Sequence, residues 1–289
     1  MKTYLLSFST VRRALLMRKH FSTIVLVGLL VIGLSLLLYP TVSDYWNSLH
    51  QSEAVASYVE KTTNLKEETY QKLLKDAKQY NEKLANEKKV DFNLTQAQTS
   101  EYNQLLDVTS TGVMGYVDIP KVHSTMPIYH GTDDAVLQVA IGHIAGTSLP
   151  VGGKSTHSVI SGHRGLPSAK LFTDIDRLDV GDTFMLHVLN ETLTYEVDQI
   201  LVVEPDDVSA LGIREGEDYC TLVTCTPYGV NSHRLLVRGH RVANASNHKV
   251  AVTAEATQVT PILVAPFVAV CLFTLLFIGL KVYKKIRFK

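Results

Sequence analysis

The sequence predicts a mainly β domain, a closed or nearly closed barrel or sandwich of short strands, preceded by a helical segment and flanked by two transmembrane helices. Three observations carry this reading. Residues 21–39 and 261–280 are apolar runs without a charge, close to the roughly 20 residues a helix needs to cross about 30 Å of hydrocarbon. Residues 53–89 are rich in Lys, Glu, Gln and Ala and hold neither Pro nor Gly. From about Gly112 the chain turns to short apolar runs punctuated by Gly, Pro and Asp, the pattern of many strands joined by tight turns.

Basic residues flank the outer end of each apolar run. Arg12, Arg13, Arg18 and Lys19 precede the first, within residues 1–20. Lys281, Lys284, Lys285, Arg287 and Lys289 follow the second, within residues 281–289. Lys and Arg accumulate on the cytoplasmic side of spans, so both termini are expected in the cytoplasm. Residues 40–260 then lie outside a two-pass membrane protein. A cleaved signal peptide ending near residues 41–43 ("TVS") is the rival for the first run, which is longer than an ordinary signal-peptide core. A buried core helix is the rival for the second, against its length and basic tail. Membrane attachment survives either alternative, because one span remains.

Between the spans the expected order is a helical segment over 40–111, a barrel over 112–243 and a polar tether over 244–260. Tyr70, Leu73, Leu74, Ala77, Tyr80 and Leu84 recur at helical spacing. They predict one or two helices that lay an apolar stripe on the domain after them, although a solvated stalk would share that periodicity. The strand candidates are "GYVDIP", "MPIYHG", "HSVISGH", "TFMLHVL", "LTYEVDQILVV", "YCTLVTC" and "RLLVRGHRV". "AVLQVAIGHIAG" (135–146) and "DVSALGI" (207–213) read as short helices between them.

Lys plus Arg and Asp plus Glu both number 28. That balance argues against a nucleic-acid footprint and for protein partners. No His-Glu-x-x-His and no paired Cys-x-x-Cys occurs, so neither a metal nor a cofactor is expected. Of three cysteines, Cys271 falls inside the second apolar run, whereas Cys220 and Cys225 fall outside the membrane. Five residues along a strand put the outer two on opposite faces about 16 Å apart, beyond disulfide reach.

Cys225 closes an apolar run just before the turn residues Pro227 and Gly229. A thiol at such a strand-to-loop edge is held by a sheet yet can face a groove. Cys220, inside the run, reads as a small core residue. A thiol whose ordinary pKa is near 8.5 needs a base or a positive field to react as thiolate. Among eleven histidines, His163 stands out in "SVISGHRG", at the end of another apolar run. Arg234 opens "RLLVRG" after the loop that follows Cys225, and a hairpin would bring the two together. A guanidinium there favours thiolate and can stabilise an oxyanion. Arg238 has the same strand parity but lies about 13 Å further on, and reads as structural or solvent-facing.

"TLVTCTPYG" with Arg234 nine residues after its cysteine, "SGHRG", and "GTSLP" at 146–150 together resemble the sortases of Gram-positive bacteria. The resemblance covers roughly residues 112–242. It implies an eight-stranded barrel and a cysteine transpeptidase with Cys225 as nucleophile, His163 as acid/base and Arg234 orienting substrate or stabilising the oxyanion. The implied partners are LPXTG-bearing surface proteins or pilins, and the membrane. The second span and the helical segment look like class C, the pilin-polymerising sortases. Members of that class carry a lid motif, Asp-Pro-aromatic, before the barrel. The nearest candidate here is Asp91-Phe92, which lacks the proline and so weakens the expectation of a lid without touching the barrel chemistry. A housekeeping-type sortase acting on cell-wall precursor and a membrane-anchored thiol hydrolase are the near alternatives. A receptor or scaffold domain is the distant one, and it would need none of these motifs.

Overall fold

The computed structural model describes residues 2–87, 92–244 and 279, with side chains from Val25 onward. The second apolar run with Cys271, apart from Gly279, the basic tail, nearly all of the expected tether, and Asp91 lie outside the described residues.

Helix α1, Lys2–Thr63, is continuous through the first apolar run and through Pro40. The expected span and the expected helical segment are thus joined in one helix: proline removes one N–H from the ladder and the helix carries on. The part Val25–Thr63 is long and apolar enough to cross a membrane, and its most apolar window is wholly unburied. Further along, Asp44, Asn47, Gln51, Val55, Tyr58 and Thr62 recur every three or four residues on the face turned to the barrel. Val55 and Tyr58 pack on Val113 and Tyr116. The Tyr58 hydroxyl donates to the Met114 carbonyl at 2.9 Å and accepts the Leu189 N–H at 2.7 Å.

Helix α2, Glu67–Glu87, buries Ala77, Tyr80 and Leu84 in the main core, with Tyr70, Leu73 and Leu74 against it. The helical spacing thus marks a packed face, and the solvated stalk is ruled out. Helix α3, Gln96–Gln104, was not expected. Its signal was present as Thr95 and Gln98, which form a reciprocal capping box. Phe92, just before it, is exposed.

Eight strands form a closed barrel: β1 Val113–Ile119, β2 Ser124–His130, β3 Ile141–His143, β4 Thr156–Ser161, β5 Thr183–Val188, β6 Glu191–Val203, β7 Asp218–Thr226 and β8 His233–Val242. Their order is β1-β2-β3-β4-β7-β8-β6-β5. The pairs β2–β3 and β4–β7 are parallel and the others antiparallel. All seven expected runs are strands, and the eighth strand corrects the reading of 135–146. Helix α4 there covers only Asp134–Leu137, and Ile141–His143 pairs with β2 and β4. A three-residue strand is too short for its period to show. Gly142 lies so close to the Gly131 carbonyl that an added Cβ would meet it at 1.9 Å. The 207–213 run does form a 3-10 turn, Ser209–Leu211.

Along β7 and β8 the faces separate cleanly. Cys220, Leu222, Leu235 and Val237 join the barrel interior, while Val223 and Leu236 join an outer cluster with Val159 and Leu211. Leu201, Val203 and Ala210 border that cluster. An apolar floor therefore runs across the outside of β4, β7, β8 and β6, with the 209–211 turn folded over it.

Candidate active site

Cys225 is the penultimate residue of β7 and shares the outward parity of Val223. It is part-exposed, whereas Cys220 is fully buried and burial pushes its thiol well above the ordinary value. The two free cysteines thus face opposite sides of one strand. The β7–β8 register sets Cys225 directly opposite Arg234, a relation that puts cross-strand Cβ atoms about 5 Å apart. The Arg234 Nη1 donates to the loop carbonyls of His233 at 3.2 Å and Asn231 at 3.4 Å, which turns the guanidinium toward the loop end of the hairpin.

His163 comes from the other side of β7. The parallel β4–β7 register ends at Ser161↔Val223, and two further bonds carry it on. The Gly162 N–H donates to the Val223 carbonyl at 3.1 Å, and the Thr224 hydroxyl donates to the Gly162 carbonyl at 2.7 Å. These bonds hold Gly162 against Val223 and Thr224, so the His163 backbone follows the end of β4 next to the end of β7 that carries Cys225. Gly162 allows this approach: a Cβ there would meet Ile141 and the Phe172 ring at 2.7 Å. Cys225 and Arg234 thus sit opposite each other where β7 and β8 meet their loop, beside the apolar floor, and the segment that carries His163 leaves β4 on the other side of β7.

The loop after His163 is braced on three sides. Its carbonyl accepts the Phe172 N–H at 3.1 Å. From α1, Asn47 donates to the Ser168 carbonyl at 2.6 Å, and Asp44 accepts the Lys170 N–H at 2.6 Å. Arg164 closes the third side. Its Nη1 donates to the Thr226 hydroxyl at 3.1 Å, its Nη2 pairs with Asp176, and its guanidinium lies 5.9 Å from the Tyr228 ring centre. The Arg164 side chain is 10% exposed. It ties the residue after His163 to the residue after Cys225. The sequence held a signal for this, a lone charge between two glycines at a strand end, but not its partner.

Other expected features have structural explanations. Arg238 holds Asp198 through two bonds of 3.0 and 2.8 Å and lies 4.3 Å over Tyr219. Residues 146–150 are an internal brace. Asn81 bonds both the N–H and the carbonyl of Leu149, and Ser148 exchanges bonds with His157 and His143. Burial lowers His143, His157 and His187 to about 4, so these histidines are neutral parts of the core. Phe92 belongs to none of the buried clusters. Among the described residues no group of three or more His, Cys, Asp or Glu could hold a metal ion.

A family model for the sortase domain matches residues 117–242. Sortase C1 from Streptococcus agalactiae is 52% identical with a TM-score of 0.65, over 67% of this chain and 100% of that one. The chain belongs to the sortase family. Other similar solved structures are also sortases C. The Streptococcus pneumoniae enzyme is 43% identical, with a TM-score of 0.60, over 66% of this chain and 97% of that one. The Clostridium perfringens enzyme with a C-terminal cell wall sorting motif is 45% identical, with a TM-score of 0.58, over 66% and 99%. Sortase D of Bacillus subtilis is 30% identical over 131 residues, 44% of this chain. The match spans 63% of that relative's length. Sortases are transpeptidases; the family model falls on the barrel, and the likeness to the solved sortases C extends over more of the chain than the barrel.

Proposed function

We propose that this sortase is a membrane-anchored cysteine transpeptidase that polymerises pilins. The reading rests above all on Cys225 facing Arg234 across β7 and β8, with the segment that carries His163 bonded to β7 on its other side. The apolar floor leading to it suits the Leu-Pro part of an LPXTG-like signal. Thiolate Cys225 attacks the carbonyl of the Thr–Gly bond, and Arg234 stabilises the oxyanion that forms. The C–N bond breaks as imidazolium His163 gives its proton to the leaving glycine amine. The acyl group is left as a thioester on Cys225. A pilin lysine then attacks the thioester, His163 accepts its proton, and an amide bond forms as the thiolate leaves.

Support for pilins as substrates comes from the likeness to sortases C, since those of the Streptococcus pneumoniae enzyme are pilins. The long apolar helix α1 supports anchoring. Enzyme and substrate held on one surface meet at a raised effective concentration.

The test uses the full chain in detergent with a thiol-reactive analogue of a sorting signal. One covalent adduct is expected, located on Cys225. An adduct of equal yield in Cys225→Ala would overturn the nucleophile assignment.

A further inference from the structure

Beyond the barrel contacts of α1, a second stripe on the same helix is exposed. Val42, Trp46 and Leu49 follow at i, i+4 and i+7, and all three are exposed, Trp46 to 63%. Residues at that spacing share one face. The next position on this line is Glu53, also exposed. The stripe therefore begins just past the apolar run of residues 21–39 and stops at a charge. Its opposite face, at Asp44, Asn47 and Gln51, is bonded to the barrel.

The barrel extends the apolar surface sideways. Gln51 donates to the Val139 carbonyl at 2.7 Å, and the exposed Val139 side chain stands beside Trp46 across a groove of about 320 Å³. Pro127, Tyr129 and His50 line the rest, and the His50 ring lies 4.9 Å from the Trp46 ring. A tryptophan beside neutral apolar groups, at the end of a spanning helix, has the chemistry of the headgroup layer.

We infer that Val42, Trp46, Leu49 and Val139 form a membrane-docking surface that seats the barrel on the lipid headgroups. This rests on reading α1 as the anchor. A hydrocarbon span of about 20 residues ending at Val42, three residues past the charge-free run, leaves Trp46 roughly 6 Å beyond it, at 1.5 Å per residue. Leu49, roughly 10 Å beyond, lies at the outer edge of the headgroup layer with its side chain leaning back toward the membrane. The headgroup layer is itself roughly 5–7 Å deep on each side. Glu53, roughly 16 Å beyond Val42 along the axis, stands clear of it. Asp44 and Asn47, on the opposite face of the same turns, hold the loop that follows His163. Docking thus fixes the catalytic site at a set height above the surface, where a sorting signal with a membrane-held tail would lie.

Trp46 is the sole tryptophan of the chain, so its fluorescence reports the depth of this surface directly. The full chain is reconstituted into phosphatidylcholine and phosphatidylglycerol vesicles. Emission is then compared with lipids brominated near the headgroup, lipids brominated near the acyl terminus, and aqueous iodide. The expected result is strong loss of emission with shallow bromine, weaker loss with deep bromine, and little with iodide. Full quenching by iodide with none by either lipid, in protein that still floats with the vesicles, overturns the docking surface and leaves the anchor intact. Protein that fails to float overturns both. As a second readout, a Val42→Ser/Leu49→Ser double variant retains Trp46 and should cleave a soluble sorting peptide at the wild-type rate. It should process a membrane-embedded substrate several-fold more slowly. Equal rates on the embedded substrate overturn the proposed role of docking.

Discussion

Replacing Arg164 with lysine should slow acylation far more than it weakens the barrel. The guanidinium makes three contacts at once: the Asp176 carboxylate, the Thr226 hydroxyl at 3.1 Å and the Tyr228 ring at 5.9 Å. An ammonium keeps the charge but serves one direction well, so the carboxylate contact can survive while the link to Thr226 is lost. Asp176 is 41% exposed, so water takes up part of the loss. One hydrogen bond from a charged group sets the scale, at about 1–3 kcal/mol. The kinetic effect has a different origin, because Arg164 joins the two strand ends that carry His163 and Cys225. A displacement near 1 Å between reacting groups can cost about 10²-fold in rate. The assay pairs chemical denaturation in detergent with kcat and KM for a sorting peptide, and with the pH profile of Cys225 alkylation. A fall in kcat of at least tenfold, KM nearly unchanged and an altered alkylation profile are expected. A stability loss with kcat and the profile unmoved would reduce Arg164 to a packing residue. Asp176→Asn should reproduce the effect in weaker form.

Arg234→Lys should lower acylation by about 10²-fold, the usual cost of one lost oxyanion donor; unchanged acylation in a single-turnover experiment removes Arg234 from the mechanism. Tyr58→Phe strands the Met114 carbonyl and the Leu189 N–H, both bonded to the buried hydroxyl, and should lower stability by about 2–4 kcal/mol in a denaturation titration. Acid should destabilise the barrel through its buried histidines. His143, His157 and His187 titrate near 4 when folded and near 6.5 when unfolded. Between those values the unfolded chain binds more protons, so the stability is fully present above about pH 6.5 and is lost as pH falls to about 4. Each contributes up to about 3 kcal/mol. His187→Phe keeps an aromatic ring against Tyr116 and should remove about a third of that slope; a melting-temperature profile unchanged between pH 4 and 7 would refute the assignment.

The parts of the fold that the sequence foretold are those whose signals are local. Seven strands show as apolar runs between turn residues. The pairing of Cys225 with Arg234 follows from one hairpin. Helix α2 shows because Ala77, Tyr80 and Leu84 repeat with the period of a buried face. Strand β3 hides because three residues make no period, and its Gly142 is required by the approach of Gly131. Helix α3 hides because it buries one apolar side chain, Tyr102, and is announced only by its capping box. The bound placed at Tyr39 came from a change in composition, and one helix, α1, runs through it into the segment that packs on the barrel.

His163 raises a different problem, because it reaches Cys225 through a parallel pair. The bond from Thr224 to the Gly162 carbonyl joins positions 62 residues apart, and parallel strands need a crossover whose course leaves no mark on local periodicity. A single hydrogen bond would hold such a distant pair only loosely. The chain supplies three restraints close to the reacting groups. Gly162 admits the close approach to Phe172, Arg164 bridges to Thr226, and α1 grips Ser168 and Lys170. None is adjacent in sequence to the cysteine, yet each acts on the segment that carries His163. The placing of that histidine is therefore a property of the loop after β4 as much as of the barrel. Loosening the α1 grip tests this: Asn47→Ala with Asp44→Ala should leave the Cys225–Arg234 hairpin folded and lower kcat through His163 alone. A variant that retains wild-type kcat would show that Gly162 and Arg164 suffice.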